Sequence, residues 1–215
     1  SLRTDFEYGA PIANGFRFHV GGFFRQGTGT RNPGFTANYG GQIKGNMTKE
    51  FKKGYARFYF KYLNDRTISY MPMPVAATGT GLNPTYESIE GFDLTNSTLQ
   101  SPYFLNAFGI DGNGNNRTSD ISNGMHPEVT ALGAEFSFDL GNGWKLKNKS
   151  RMAFTKGTFN SPFPAQVASA DDIASNIAGA GYSLSYANGP DAGTVLTGDQ
   201  IQNLNGNGLL MRVHL

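Results

Sequence analysis

Apolar and other side chains alternate with a period of two through seven segments of the chain. In residues 56–62 the alternation runs Ala56, Arg57, Phe58, Tyr59, Phe60, Lys61, Tyr62. Successive residues of a strand point to opposite faces, so each such segment is predicted to be a strand with one apolar side. The seven predicted strands are 2–9, 16–25, 39–49, 55–64, 129–140, 144–156 and 208–215.

The sixth segment carries a basic residue at every second position, namely Lys145, Lys147, Lys149 and Arg151. A helix turns by about 100° per residue, so these four cations would be spread around a whole helix. On a strand they share one face. The segment is therefore predicted to be a strand with a basic side.

The connections between the predicted strands alternate in length. Those around 10–15, 50–54 and 141–143 are tight turns rich in Gly, Asn and Lys, whereas 26–38, 65–127 and 156–208 are long. Short periplasmic turns and long extracellular loops are typical of outer-membrane barrels. Loops beyond about 15 residues are uncommon in soluble domains. The predicted fold is all-β, a segment of a transmembrane antiparallel β-barrel.

A soluble antiparallel sandwich or jelly roll is the alternative, because its strands alternate in the same way. Such a fold needs a second sheet to cover its apolar face. Composition supports short strands in either case, with 29 Gly and 13% aromatic residues in 215. No run of about 18 apolar residues is present, so no transmembrane helix is predicted.

Two further features of composition reduce the range of possible functions. The chain has no cysteine, which excludes a disulfide framework and thiolate metal sites. Its formal charge of +2 is too small to indicate a nucleic-acid partner.

Several short motifs near the start of the chain follow one another in a characteristic order. They are TDFEYGAPI at 4–12, FHVGGFFR at 18–25, RNPGFTAN at 31–38, GGQIK at 40–44 and YFKYLNDRT at 59–67. Together they resemble the TonB-dependent receptor family, in particular receptors of Bacteroidota-type bacteria, which include SusC-like importers. The resemblance covers residues 3–75, and the remainder is similar only in its barrel pattern.

The resemblance implies a 22-stranded barrel in the bacterial outer membrane, closed by an N-terminal plug. Such receptors bind scarce nutrients outside the cell and import them with energy relayed by TonB. The implied partners are outer-membrane lipid, the plug domain and remaining barrel strands, the TonB complex and a surface lipoprotein lid. The plug and the TonB box are absent from these 215 residues, and Leu215 falls in the middle of a predicted strand. The chain is therefore expected to be part of a longer protein.

The alternation assigns side chains to a lipid-facing and a lumen-facing set. The predicted lipid-facing residues are Phe16, Phe18, Val20, Ile43, Phe58, Phe60, Phe136, Phe138, Met152 and Phe154. The predicted lumen- or plug-facing residues are Arg17, Arg25, Lys44, Arg57, Lys61, Lys145, Lys147, Lys149 and Arg151.

Two interpretations of the basic lumen set remain open. In the first, these residues attract an anionic solute or pair with acidic residues of the plug. In the second, they line an ordinary water-filled lumen and their charges pair with those of neighbouring strands. Lys145 to Arg151 lie near a short turn, where contact with a plug is expected rather than first capture of a ligand.

The long loops contain the candidate ligand-binding residues, because aromatic planes stack on sugar rings and flat chelates. They are Tyr70, Met71, Met73, Tyr86, Tyr103, Phe104 and Phe108. The alternative is that these side chains only pack the loops against one another.

Asp111 to Asn115 resembles the first half of a calcium loop, but the twelfth position is Ser122 instead of Glu, which favours a simple turn. No catalytic motif is found, so no catalytic residue, metal or cofactor is predicted and the protein is not expected to be an enzyme. Residues 165–178 are expected to form a short helix. The predicted function is active import of a nutrient; the alternatives are a passive porin and a soluble β-sandwich used for adhesion or glycan binding.

Overall fold

The computed structural model of the chain describes residues 1–197 and 209–214. The protein is mostly β, with 59% of residues in strands and 6% in helix. It divides into two compact units. The first comprises residues 1–29, 36–67 and 123–159, and the second comprises the described residues of 30–35, 68–122 and 160–215.

The elements follow one another along the chain in a simple order. They are β1 (Leu2–Pro11), β2 (Phe16–Gly27), β3 (Asn38–Phe51), β4 (Gly54–Thr67), β5 (Ala76–Thr80), β6 (Asn83–Glu87), β7 (Asn106–Ile110), β8 (Asn116–Asp120), a 3-10 turn (Ile121–Asn123), β9 (Met125–Gly141), β10 (Trp144–Phe159), β11 (Phe163–Ser169), α1 (Ala170–Ala178) and β12 (Leu209–His214).

The first unit is a six-stranded sheet in the order β1-β2-β3-β4-β9-β10, in which every neighbouring pair is antiparallel. Its strands are the first six that the alternation predicts. All six extend beyond the predicted bounds, by one to four residues at an end, as β9 does by beginning at Met125. Backbone groups pair whatever the side chain, so hydrogen bonding continues where the alternation has already ended.

Two of the short connections are tight turns made by an Asn-Gly pair. Asn14 and Gly15 have φ of 50° and 78°, and the Phe16 N–H donates to the Ala13 carbonyl at 2.8 Å. Positive φ at both central residues matches the twist of antiparallel strands, and Asn-Gly adopts it most readily. Asn142, with φ of 52°, repeats the arrangement between β9 and β10. The third short connection, between β3 and β4, also forms where it is predicted.

The second unit contains three two-stranded sheets, β5-β6, β7-β8 and β11-β12. The seventh predicted strand forms as β12, but it pairs with β11 and not with the six-stranded sheet. Gly208 and Leu215, the ends of that predicted strand, lie outside the described residues. The hairpins β5-β6 and β7-β8 were not predicted, because strands of five residues are too short to show a clear period.

The predicted helix at 165–178 forms only in its second part, as α1. Residues 163–169 pair with β12 instead, so the helix begins at Ala170. Ser169 caps it, since its hydroxyl oxygen accepts the Asp172 N–H. Among the described residues, no helix is long and apolar enough to cross a membrane.

Fully buried apolar side chains are few and mostly small. In the second unit they include Ile68, Ile121 and Ile173, and in the first unit Ala37 and Ala131. The large apolar residues of the six-stranded sheet are therefore not the core of the described chain.

Candidate functional site

The pairing register collects the alternating side chains of all six strands onto two faces of the sheet. Residues directly opposite each other in antiparallel strands point to the same side. Phe18 lies opposite Met47, Met47 opposite Phe58, and Phe58 opposite Ala134. All ten residues of the predicted lipid-facing set belong to this side, which is called the apolar face below.

Most of the apolar face is uncovered. Phe58 is 66% exposed, Phe60 41% and Phe154 70%, and Phe136 is half-buried. Neighbouring rings contact one another along it, as Phe24 and Tyr39 do at a centroid separation of 5.6 Å. The face thus presents a broad hydrophobic surface to its surroundings.

The opposite side, called the polar face, contains all nine residues of the predicted lumen-facing set. Several of its charges are paired between strands. Arg17 lies 2.7 Å from Glu50, and Lys149 lies 3.6 Å from Glu135. Arg57 donates from Nε to the Thr48 hydroxyl at 2.9 Å. This part of the face agrees with the interpretation of a wet surface with cross-strand ion pairs.

Tyrosine side chains span neighbouring strands on the polar face. The Tyr59 ring lies over Gly133, where a Cβ would come within 2.2 Å of the ring, and its hydroxyl donates to the Ser150 carbonyl at 3.1 Å. The Tyr55 hydroxyl donates to Glu135 at 2.5 Å. Both contacts join β4 to the strands beyond it.

Three cations of the polar face are gathered at a depression of about 380 Å³ whose polar lining is His19, Lys44, Asn46, Tyr59, Lys61 and Arg151. Lys44 and Lys61 are directly opposite each other on β3 and β4. Within residues 1–197 and 209–214, neither lysine nor Arg151 has a carboxylate within 4 Å. His19 is held by Glu7, 2.7 Å from its Nε2.

The loop candidates fall into two groups within the second unit. Tyr86, Tyr103 and Phe108 are exposed. The half-buried members are Tyr70, Met71, Met73 and Phe104. In the described part of the chain no ring–ring contact joins two of the aromatic candidates.

Tyr70 has a structural contact in the second unit. Its hydroxyl donates to the Arg31 carbonyl at 2.7 Å and accepts the Arg31 N–H at 3.1 Å. The Arg31 guanidinium in turn donates to the carbonyls of Leu94 and Ser97, both at 2.8 Å. For Tyr70, these bonds favour the interpretation in which the side chain packs one loop segment against another.

The Asp111 carboxylate closes a turn. Its Oδ1 accepts hydrogen bonds from the backbone N–H groups of Asn115 and Asn113. These bonds lower the pKa of Asp111 below 3.8, and the bond from Asn115 has the larger effect. Among described residues, no group of three or more His, Asp or Glu side chains is arranged to hold a metal ion.

His19, Tyr59 and Arg31 were not among the predicted site residues. Alternation already places the first two on the side of Lys44 and Lys61, but only the register brings them to the same depression. Arg31 is in a long connection without periodicity, where the sequence contains no indication of its partners.

The sequence matches no protein-family model, no curated protein and no solved structure.

Proposed function

We propose that the chain is part of an outer-membrane active transport receptor, which binds a scarce nutrient at the cell surface and imports it through a plugged β-barrel with TonB-relayed energy. The proposal joins the motif resemblance to one structural observation. In the described residues, a six-stranded antiparallel sheet has one largely exposed apolar face and an opposite face rich in charge.

The extent of the apolar face suits a bilayer. On β4 it runs from Ala56 to Tyr62, which is six steps of about 3.4 Å, or roughly 20 Å along the strand. Tyr39 and Tyr62 lie toward one end and Phe51 toward the other. A band about 25 Å tall flanked by aromatic residues is the outer surface expected of a membrane barrel.

The sheet edges support the idea of a larger barrel. In the described part of the chain, β1 and β10 each have a strand on one side only. A backbone edge left open in hydrocarbon costs several kcal/mol for each unpaired group, so spanning sheets must close. We propose that further strands continue from both edges and that a plug fills the lumen against the polar face.

In this proposal the second unit contributes to capture of the nutrient. Tyr86, Tyr103 and Phe108 offer exposed aromatic rings, which are suited to stacking on a sugar ring or a flat chelate. A surface lipoprotein would cover the bound nutrient from outside.

Site-directed spin labelling tests the membrane assignment directly. These 215 residues contain no cysteine, so single cysteines introduced at 58, 59, 60 and 61 each carry one nitroxide once any cysteine elsewhere in the full-length protein has been replaced by serine. In outer membranes, labels at 58 and 60 should be accessible to oxygen, and those at 59 and 61 to a water-soluble relaxation agent. A full-length protein that is soluble without detergent, with 58 and 60 shielded from both agents, would favour the sandwich.

Active transport needs a separate test. The full-length protein should be purified from native outer membranes with its bound ligand, and uptake of that ligand measured in cells. Uptake by an active importer should stop when TonB is deleted or the proton gradient is collapsed. Uptake that continues at the same rate would identify a passive porin.

A further inference from the structure

We infer that Lys44, Lys61 and Arg151 form a binding site for a phosphoryl group on the polar face. Its three residues belong to the first unit, whereas the loop residues proposed for first capture belong to the second. The inference does not depend on lipid meeting the apolar face, because every residue that carries it is on the other side of the sheet.

Strand pairing places the three cations in two adjacent rows. In one row Lys44 and Lys61 are directly opposite each other, with Gly21 on one side and Ala131 on the other. The small neighbours leave the space beside the two amines open.

The other row supplies polar groups to the same depression. Its members, in order from β2 to β10, are His19, Asn46, Tyr59, Gly133 and Arg151. The volume of the depression, about 380 Å³, exceeds the volume of one phosphoryl group. The depression therefore leaves room for the rest of a small phosphate ester.

The cations have no compensating charge within the described residues. Like charges directly opposite each other destabilise a sheet. Nearby carboxylates on this face are already engaged, since Glu7 contacts His19, and Glu135 contacts Tyr55 and Lys149. A dianion bound between the two amines would be attracted to both and would offset the repulsion between them. Its binding should therefore be favourable.

The residue types also suit this ligand. Lysine binds phosphate as a point charge with three donors, and the planar guanidinium of arginine contacts two oxygens at once. Lys61 and Tyr59 are half-buried, so their contacts with an anion are less weakened by water than those of exposed groups. Lys44 and Arg151 are exposed, and their contribution should fall most steeply as salt is raised.

Calorimetry on the full-length protein in detergent tests the site, with inorganic phosphate and glycerol phosphate as the two probes. We expect saturable binding of at least one probe that weakens as salt is raised. Binding of inorganic phosphate alone would identify the ligand as the free ion. Binding of glycerol phosphate would identify the ligand as a phosphorylated solute. Lys44→Gln, Lys61→Gln and Arg151→Gln should each lower the affinity about tenfold, the effect of one lost charge-assisted contact.

Lys147→Gln is the matched control, because it removes the same charge from the same face four residues, or roughly 13 Å, from Arg151 along β10. It should change the affinity less than twofold. Equal loss in the control and in the site variants would show attraction by the whole face and overturn the site. Absence of binding by both probes in the unsubstituted protein would also overturn it.

Discussion

Arg25 of β2 and Asp65 of β4 form a bidentate ion pair across β3, the strand between them. Arg25 Nε donates to Oδ1 at 2.8 Å, and Nη2 donates to Oδ2 at 2.7 Å. Gly40 of β3 lies opposite both residues and has no side chain to obstruct them. The pair therefore ties β2 to β4 over the bare backbone of β3.

Removing the Asp65 charge should destabilise the first unit. The two side chains are only 28% and 13% exposed, so Asp65→Asn leaves a poorly solvated guanidinium. We expect the free energy of unfolding to fall by about 1–3 kcal/mol. Fluorescence of Trp144, the one tryptophan in these 215 residues, would measure it during urea unfolding in detergent, with any other tryptophan of the full-length protein replaced by phenylalanine. Asp5→Asn is the control, because its Arg3 pair is exposed and screened by water, so its loss should change stability far less than the loss of the Asp65 charge. Equal losses would contradict the prediction.

Gly40→Ala should also be destabilising, by about 1–3 kcal/mol. Gly40 has φ of 131°, and an added Cβ would lie 2.3 Å from the Asn64 carbonyl oxygen, which the sheet holds in place. The same unfolding measurement applies. Gly109→Ala serves as the control, since a Cβ there meets nothing within 4 Å. It should change stability by no more than about 0.5 kcal/mol, and a similar cost at both glycines would refute the steric argument.

Tyr59 and Gly133 should be energetically coupled. A Cβ at Gly133 displaces the Tyr59 ring and breaks its bond to the Ser150 carbonyl, at a cost of about 1 kcal/mol. Once Tyr59→Ala has removed the ring, Gly133→Ala should cost less. A double-mutant cycle of unfolding free energies should give a coupling of at least about 0.5 kcal/mol. Strictly additive effects would mean that the ring and the glycine do not interact.

Adjacent arginine substitutions on β10 separate the two faces. Met152 is on the apolar face opposite Leu132, and Ala153 is on the polar face opposite Ala131. If the apolar face meets lipid, Met152→Arg should destabilise the folded protein by about 2–4 kcal/mol, whereas Ala153→Arg should be tolerated. Unfolding from lipid vesicles would measure both. Tolerance of arginine at 152 would contradict the membrane assignment.

Acid should loosen the β7-β8 turn. The backbone N–H groups of Asn115 and Asn113 lower the pKa of Asp111 in the folded state, so its stabilising contribution is full above the unfolded pKa near 3.8. That contribution is lost as the pH falls through the lower, folded pKa. An NMR titration of the Asp111 carboxyl carbon should give a midpoint below 3.8, with the amide shifts of Asn113 and Asn115 following it. In Asp111→Asn those amides should not titrate, and a midpoint at or above 3.8 in the unsubstituted protein would disprove the turn bonds.

The strands of the six-stranded sheet and their two faces were predictable because each follows from a local period. The face on which Phe60 lies, for example, can be inferred from its neighbours Tyr59 and Lys61 alone. The turn at Asn14-Gly15 is equally local, since the left-handed conformation of two residues determines it. The membrane environment of the apolar face stays a prediction.

The candidate site could not be predicted in the same way. His19 and Arg151 come to one depression only because β4 pairs with β9, although β5 to β8 intervene in the chain. A period of two says which side a residue takes, but not which distant residue will lie opposite it.

The sequence by itself determined the positions of the six strands of the first unit, the sidedness of each of them and the tight turns between them, because these depend on steric preferences within a few residues. Only the tertiary structure decided the partner of β12, the hairpins inside the long connections and the grouping of Lys44, Lys61 and Arg151. Those features depend on pairing register, which is settled by the packing of segments far apart in the chain.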